Sequence, residues 1–97
     1  MANNRWVYKE IAESGRFLKM PQSTQVLYFH LVMNTNNEGV VEADYVMNMI
    51  HSNIGDLELL QDRGFVKILD EDHLTYVNSV NEFMEAYMEK RSGKSAQ

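Results

Sequence analysis

The sequence predicts a mainly α-helical domain closed by one small β-hairpin, in winged helix-turn-helix order, with an extra amphipathic helix at its C-terminal end. Three observations predict it. Helical patterns follow one another between residues 9 and 63 with only short polar breaks. Two β-rich runs, Phe65-Val66-Lys67-Ile68-Leu69 and Leu74-Thr75-Tyr76-Val77, flank a four-residue acidic turn, Asp70-Glu71-Asp72-His73. Ser79-x-x-Glu82 then has the spacing of a capping box and opens a last apolar stripe.

Lys9 to Leu18 is a short helical lead-in anchored by Ile11, Phe17 and Leu18. Met20-Pro21 breaks it, because the residue before proline avoids helical angles. A strong helix follows from Gln22 to Asn34. Val26, Leu27, Phe29, Leu31, Val32 and Met33 make it apolar on most sides, as a central buried helix would be. Asn34 to Gly39 is a turn, with Gly39 as its positive-φ residue. Val40-Val41 is a stub of strand. The next helix runs from Glu42 or Ala43 to His51, with Val46, Met49 and Ile50 on one face. Asn53 caps a further helix, placing Asp56 at its positive end and turning Leu57 and Leu60 inward. Arg63 and Gly64 close that helix. After the hairpin, Val80, Phe83, Met84, Tyr87 and Met88 recur as i, i+3, i+4, i+7, i+8. Residues 1–91 read as one domain, and the small polar run 92–97 as a disordered tail.

Charge narrows the function. The chain of 97 residues has a net charge of −5, unevenly spread. Residues 1–19 are basic on balance, through Arg5, Lys9, Arg16 and Lys19 against Glu10 and Glu13. Residues 20–62 contain no Lys or Arg, and carry Glu38, Glu42, Asp44, Asp56, Glu58 and Asp62. A nucleic-acid binder concentrates cations on the face that meets phosphate; the middle of this chain does the reverse. There is no cysteine, no apolar run long enough to span a bilayer, and no signal-peptide segment at the start. A cytoplasmic protein with no membrane partner is expected.

Catalysis lacks its parts. No nucleophile, base and orienting group fall into a recognisable set, and no Gly-rich loop cradles a phosphate. His30 reads as a structural histidine at the edge of the core, and His51 as a helix-end residue suited to the negative end of the dipole. The Asp70–His73 tip reads as solvated, because neighbouring residues in a turn rarely converge on one ion. No enzyme activity, metal or cofactor is expected.

The stretches Lys9-Glu10-Ile11-Ala12-Glu13-Ser14, Phe17-Leu18, Met20-Pro21, Ser23, Gln25 and Leu27-Tyr28-Phe29-His30-Leu31 resemble the N-terminal domain of phage replisome organisers from Gram-positive hosts. The likeness continues through Glu38-Gly39-Val40-Val41, Met49-Ile50, Asp56-Leu57-Glu58-Leu59-Leu60 and Gly64-Phe65-Val66, over roughly residues 9 to 77. It implies a winged-helix module of a phage or prophage replication system in a bacterial host, with origin binding or replisome assembly as its role. One departure is plain. Where such domains carry several basic residues in the second helix, this chain reads Asp44-Tyr45-Val46-Met47-Asn48-Met49-Ile50-His51.

Two functions follow. In the first, a replication module binds DNA, a replication protein, or both. Arg5, Lys9, Asn53, Gln61, Arg63 and Lys67 are its nucleic-acid candidates, with Trp6 and Tyr8 offering rings beside the basic arm. In the second, a stand-alone acidic inhibitor presents Glu38, Glu42, Asp44, Asp56, Glu58 and Asp62 as a mimic of DNA to a host nucleic-acid-binding protein, in the manner of an anti-CRISPR protein. The last helix, through Val80, Phe83, Met84, Tyr87 and Met88, serves either the domain's own core or a homodimer.

Overall fold

The structure, a computed structural model, describes residues 7–86. Among these residues there are six helices and one three-stranded antiparallel sheet. The predicted lead-in is two helices rather than one, α1 (Lys9–Ala12) and α2 (Gly15–Leu18). Ser14 divides them. Its backbone is extended (φ −70°, ψ 151°), and its hydroxyl both donates to the Ile11 carbonyl and accepts from the Phe17 N–H, ending one helix and capping the next. The break turns Ile11 and Phe17 into the same core, where both are buried.

α3 (Gln22–Met33) is the central helix. It buries Thr24, Leu27, Tyr28, Leu31 and Val32 against α4 (Ala43–Ile50) and α5 (Ile54–Asp62). It is less enclosed than its sequence suggests, since Val26 and Met33 lie in solvent. After α3, Asn36 closes the turn. Its side-chain oxygen accepts from the Glu38 and Val40 N–H groups, and Gly39 takes the left-handed conformation at φ 81°. The chain then enters β1 (Val40–Glu42), one residue longer than the predicted stub.

α4 ends at His51, which adopts the left-handed cap conformation (φ 60°) usually taken by glycine, while the Ser52 N–H reaches back to the Met47 carbonyl. Asn53 caps α5 as expected, its side chain accepting from the Asp56 N–H at 3.2 Å. Gly64 (φ 88°) terminates α5. Phe65 enters the core just before β2 (Val66–Ile68), so the strand is shorter than the predicted run. The hairpin returns through β3 (Leu74–Val77), which lies between the other strands in the order β1-β3-β2. Val41 pairs with Thr75 and Lys67 with Tyr76.

Residues 80–86 form α6, opened by the predicted capping box. The Ser79 hydroxyl accepts from the Glu82 N–H, and the Glu82 carboxylate accepts from the Ser79 N–H. Phe83 seals the core. Its ring centroid lies 4.8 Å from that of Phe65, and the Arg16 guanidinium sits 4.6 Å over its ring. Phe17, Tyr28, Phe29 and Phe65 meet edge to face beneath it.

Candidate functional site

β1 runs directly into α4, which puts Glu42 at the end of a strand and Asp44 in the first turn of a helix. The sheet register sets Glu42 opposite Leu74. The hairpin tip therefore folds over the start of α4. Asp70 organises that tip, its carboxylate accepting from the N–H groups of Asp72 and Leu74, each at 3.0 Å. His73 takes a left-handed conformation (φ 63°) and brings its Nδ1 to 2.8 Å from the Asp44 carboxylate. Its carbonyl accepts from the Ala43 N–H, tying tip and helix together.

The result is a groove of about 420 Å³ lined by Glu42, Asp44, Asp70, Asp72 and Leu74. A second groove of about 330 Å³ adjoins it, shares Glu42 and Leu74, and continues over Val40, Val41 and Tyr45. Tyr45 is exposed and available as an aromatic contact. Four carboxylates thus edge a surface with an apolar floor, and Glu71 stands exposed on the same tip. Such a surface attracts cations over about one Debye length, roughly 8 Å at physiological salt. Among the described residues, no cluster of three or more acidic, His or Cys side chains is arranged to hold a metal ion.

The six acidic residues read from the sequence do not share one face. Glu42 and Asp44 form the groove with tip residues that the sequence assigned to solvent alone. Glu58 and Asp62 are exposed on α5, where Asp62 pairs with Arg63 at 3.5 Å. Glu38 lies in the turn before β1 and lines a different cavity. Asp56 is a correction, because it is buried and structural, only 8% exposed. Its carboxylate accepts from the hydroxyls of Thr24 (2.7 Å), Ser52 (2.7 Å) and Ser23 (3.0 Å). Burial alone would raise its pKa. The hydroxyl donors and the Asn53 backbone outweigh burial and hold it below the ordinary carboxylate value.

The nucleic-acid candidates have the following places. Arg5 lies outside the described residues. Lys9 is exposed on α1, 4.0 Å from Glu13. Asn53 is engaged in capping α5, and the Gln61 side chain accepts from the Ile68 N–H at 2.7 Å, fastening α5 to β2. Arg63 ends α5 beside Asp62, and its carbonyl accepts from the Arg16 guanidinium. Lys67 lies 5.8 Å from the Tyr76 ring centroid. These side chains belong to three elements, α1, α5 with its two caps, and β2.

For the last helix the sequence left two readings, the domain's own core and a homodimer. Phe83 is 2% exposed and belongs to the core, and Val80 packs half-buried against it. Met84 remains exposed; Tyr87 and Met88 lie outside the described residues. Sequence reasoning missed the contribution of Asp70 and Asp72 to the groove, because only the pairing of β1 with β3 brings the tip to Glu42. No described helix is long and apolar enough to cross a membrane. Comparison with protein-family models, with curated proteins and with solved structures finds no match to the chain.

Proposed function

We propose that this chain is a non-enzymatic winged-helix module of the phage replisome-organiser kind, acting in the cytoplasm of a bacterial host, and that it binds a basic protein surface in preference to DNA. The fold reading is supported by the order α3-β1-α4-α5-β2-β3 and by the strand order β1-β3-β2, with the β2–β3 hairpin as the wing. In that arrangement α5 and the wing are the elements offered to a duplex. Here the wing tip carries Asp70, Glu71 and Asp72, and the exposed surface of α5 carries Glu58 and Asp62. Phosphate would meet carboxylate at both places.

The observation that carries the proposal is the groove in which Glu42, Asp44, Asp70 and Asp72 converge beside Tyr45. Its partner presents Lys or Arg with an apolar neighbour. Rim charges of this kind act mainly on association rate and salt dependence. The test replaces Glu42 and Asp72 together by lysine and leaves Asp70, which holds the tip, in place. The partner protein retained by the wild type at low salt is lost by this variant, and high salt reproduces the loss. Retention of the same partner by the variant refutes the groove. Electrophoretic shift with duplex DNA at low salt is the companion assay, in which a shift by the wild type at tens of micromolar would return the module to DNA binding.

The acidic-inhibitor reading uses the same surface and differs in its target. Competition separates them. Duplex DNA displaces the chain from a nucleic-acid-binding enzyme that it inhibits by mimicry, and leaves it on a replication protein that it joins elsewhere.

A further inference from the structure

A separate cavity of about 470 Å³ opens between the segment before α1, α3 and the β1–β3 pair. Tyr28 forms part of its wall. That residue is 2% exposed as a whole, but its hydroxyl, which bonds no described residue, is not among the enclosed unpaired polar atoms and so opens on the cavity. A hydroxyl that opens on a cavity wall can exchange water for a hydrogen bond from a guest. Burial, with neighbouring Tyr8 adding to it, pushes the phenol up to about 12, so it stays protonated at neutral pH and can accept as well as donate.

The other walls give the guest its character. Tyr8, largely exposed, and Tyr76 contribute aromatic rings. A Cβ on Gly39 would lie 3.2 Å from the Tyr76 ring, so glycine is what lets that ring stand against the turn. Lys67, opposite Tyr76 in the sheet, lies 5.8 Å from the Tyr76 centroid, at the outer range of a cation–π contact. Glu38, exposed and in no ion pair with a described residue, is the one charged side chain among the described lining residues. A carboxylate, two rings and an unpaired phenol oxygen suit a planar cation rich in N–H donors. Guanidinium meets that description better than ammonium, because it is weakly hydrated and stacks on aromatic faces.

We propose that this cavity receives an arginine side chain of the partner protein, stacked between Tyr8 and Tyr76, donating to the Tyr28 hydroxyl and neutralised by Glu38. The inference rests on the reading of a basic protein partner and adds a second contact point, apart from the acidic groove.

The test uses N-acetyl-arginine amide as the probe and N-acetyl-citrulline amide as its neutral isostere, read through the tyrosine ring signals of the full chain by NMR. The arginine probe gives saturable shifts at Tyr8 and Tyr76 with half-saturation on the order of millimolar, and citrulline does not. Tyr8→Ala and Glu38→Gln, both at exposed positions that leave the core intact, each weaken it by roughly three- to fivefold. Equal binding of citrulline, unchanged affinity in both variants, or no saturation by about 50 mM overturns the proposal. The groove variant, with Glu42 and Asp72 replaced by lysine, separates the two claims. Persistence of the Tyr8 shifts there supports the cavity, and their disappearance assigns the arginine to the groove and overturns it.

Discussion

Asp56→Ala tests how the helix-turn-helix portion is held together. The carboxylate of Asp56 ties α5 to two other segments: Ser23 and Thr24 at the start of α3, and Ser52 in the turn between α4 and α5. It also stands in the first turn of α5, where a negative charge faces the positive end of the helix dipole. Truncation removes all four interactions. Ser23 is exposed and Ser52 half-exposed, so water can replace part of what they lose. Thr24 is 0% exposed and cannot be rescued in that way. A buried hydroxyl stripped of its partner costs about 1–3 kcal/mol, and loss of the helix-end charge about 0.3–1 kcal/mol more. With smaller contributions from the two serines, the expected destabilisation is about 3 kcal/mol. Urea unfolding followed by circular dichroism measures it, and for a domain of this size the same loss lowers Tm by roughly 12–24 °C. A change below about 0.5 kcal/mol would show that the clasp contributes nothing and refute the reasoning. The pH dependence supplies an independent check. The folded pKa of Asp56 is depressed, so its contribution is present above the unfolded carboxylate pKa of about 3.9 and is lost as pH falls through the lower folded value. The stability of the wild type should therefore fall more steeply below about pH 4 than that of Asp56→Ala.

Three further outcomes are expected. Phe83→Ala opens the aromatic core beneath α6 and costs about 3 kcal/mol in urea unfolding, whereas Met84→Asp, at an exposed site, changes stability by less than about 0.5 kcal/mol. Met84→Asp is therefore the variant to sediment against wild type for self-association, and a stability loss in it matching that of Phe83→Ala would contradict the burial assigned to this helix. Gly64→Ala places a methyl at φ 88°, with its Cβ 3.0 Å from the Ala86 Cβ, so it costs about 2 kcal/mol and loosens α6, measurable as a lower thermal midpoint. Alkaline titration at 295 nm finds one tyrosine, absent from Tyr28→Phe, that ionises at about 12. Because its folded pKa is raised above the unfolded value near 10, Tyr28 contributes stability that is complete below pH about 10 and is lost as pH rises toward 12.

The local features were legible because each depends on residues close in the chain. Proline before α3, Asn53 at the start of α5, Gly39 and Gly64 at positive φ, the four-residue hairpin turn and the Ser79–Glu82 box are all set by neighbours within about four residues. The helix order and the hairpin followed from apolar spacing for the same reason. Ser14 escaped notice, because its double hydrogen bond interrupts a pattern that otherwise continues as helix.

By itself the sequence determined the kinds of element, their order, and the absence of cations from residues 20–62. Only the tertiary structure decided what each charge and ring is for. Asp56 and Glu42 are both acids in the same stretch. One is enclosed because α3 approaches α5 and supplies two hydroxyls, with a third from the turn before α5, while the other is left at a groove because β1 pairs with β3 beside an acidic tip. Phe83 and Met84 are adjacent apolar residues, and packing of one face of α6 on Phe65 and Arg16 buries the first and leaves the second in solvent. These outcomes depend on contacts between residues tens of positions apart. Spacing along the chain carries periodicity, but not the partner that a face will meet.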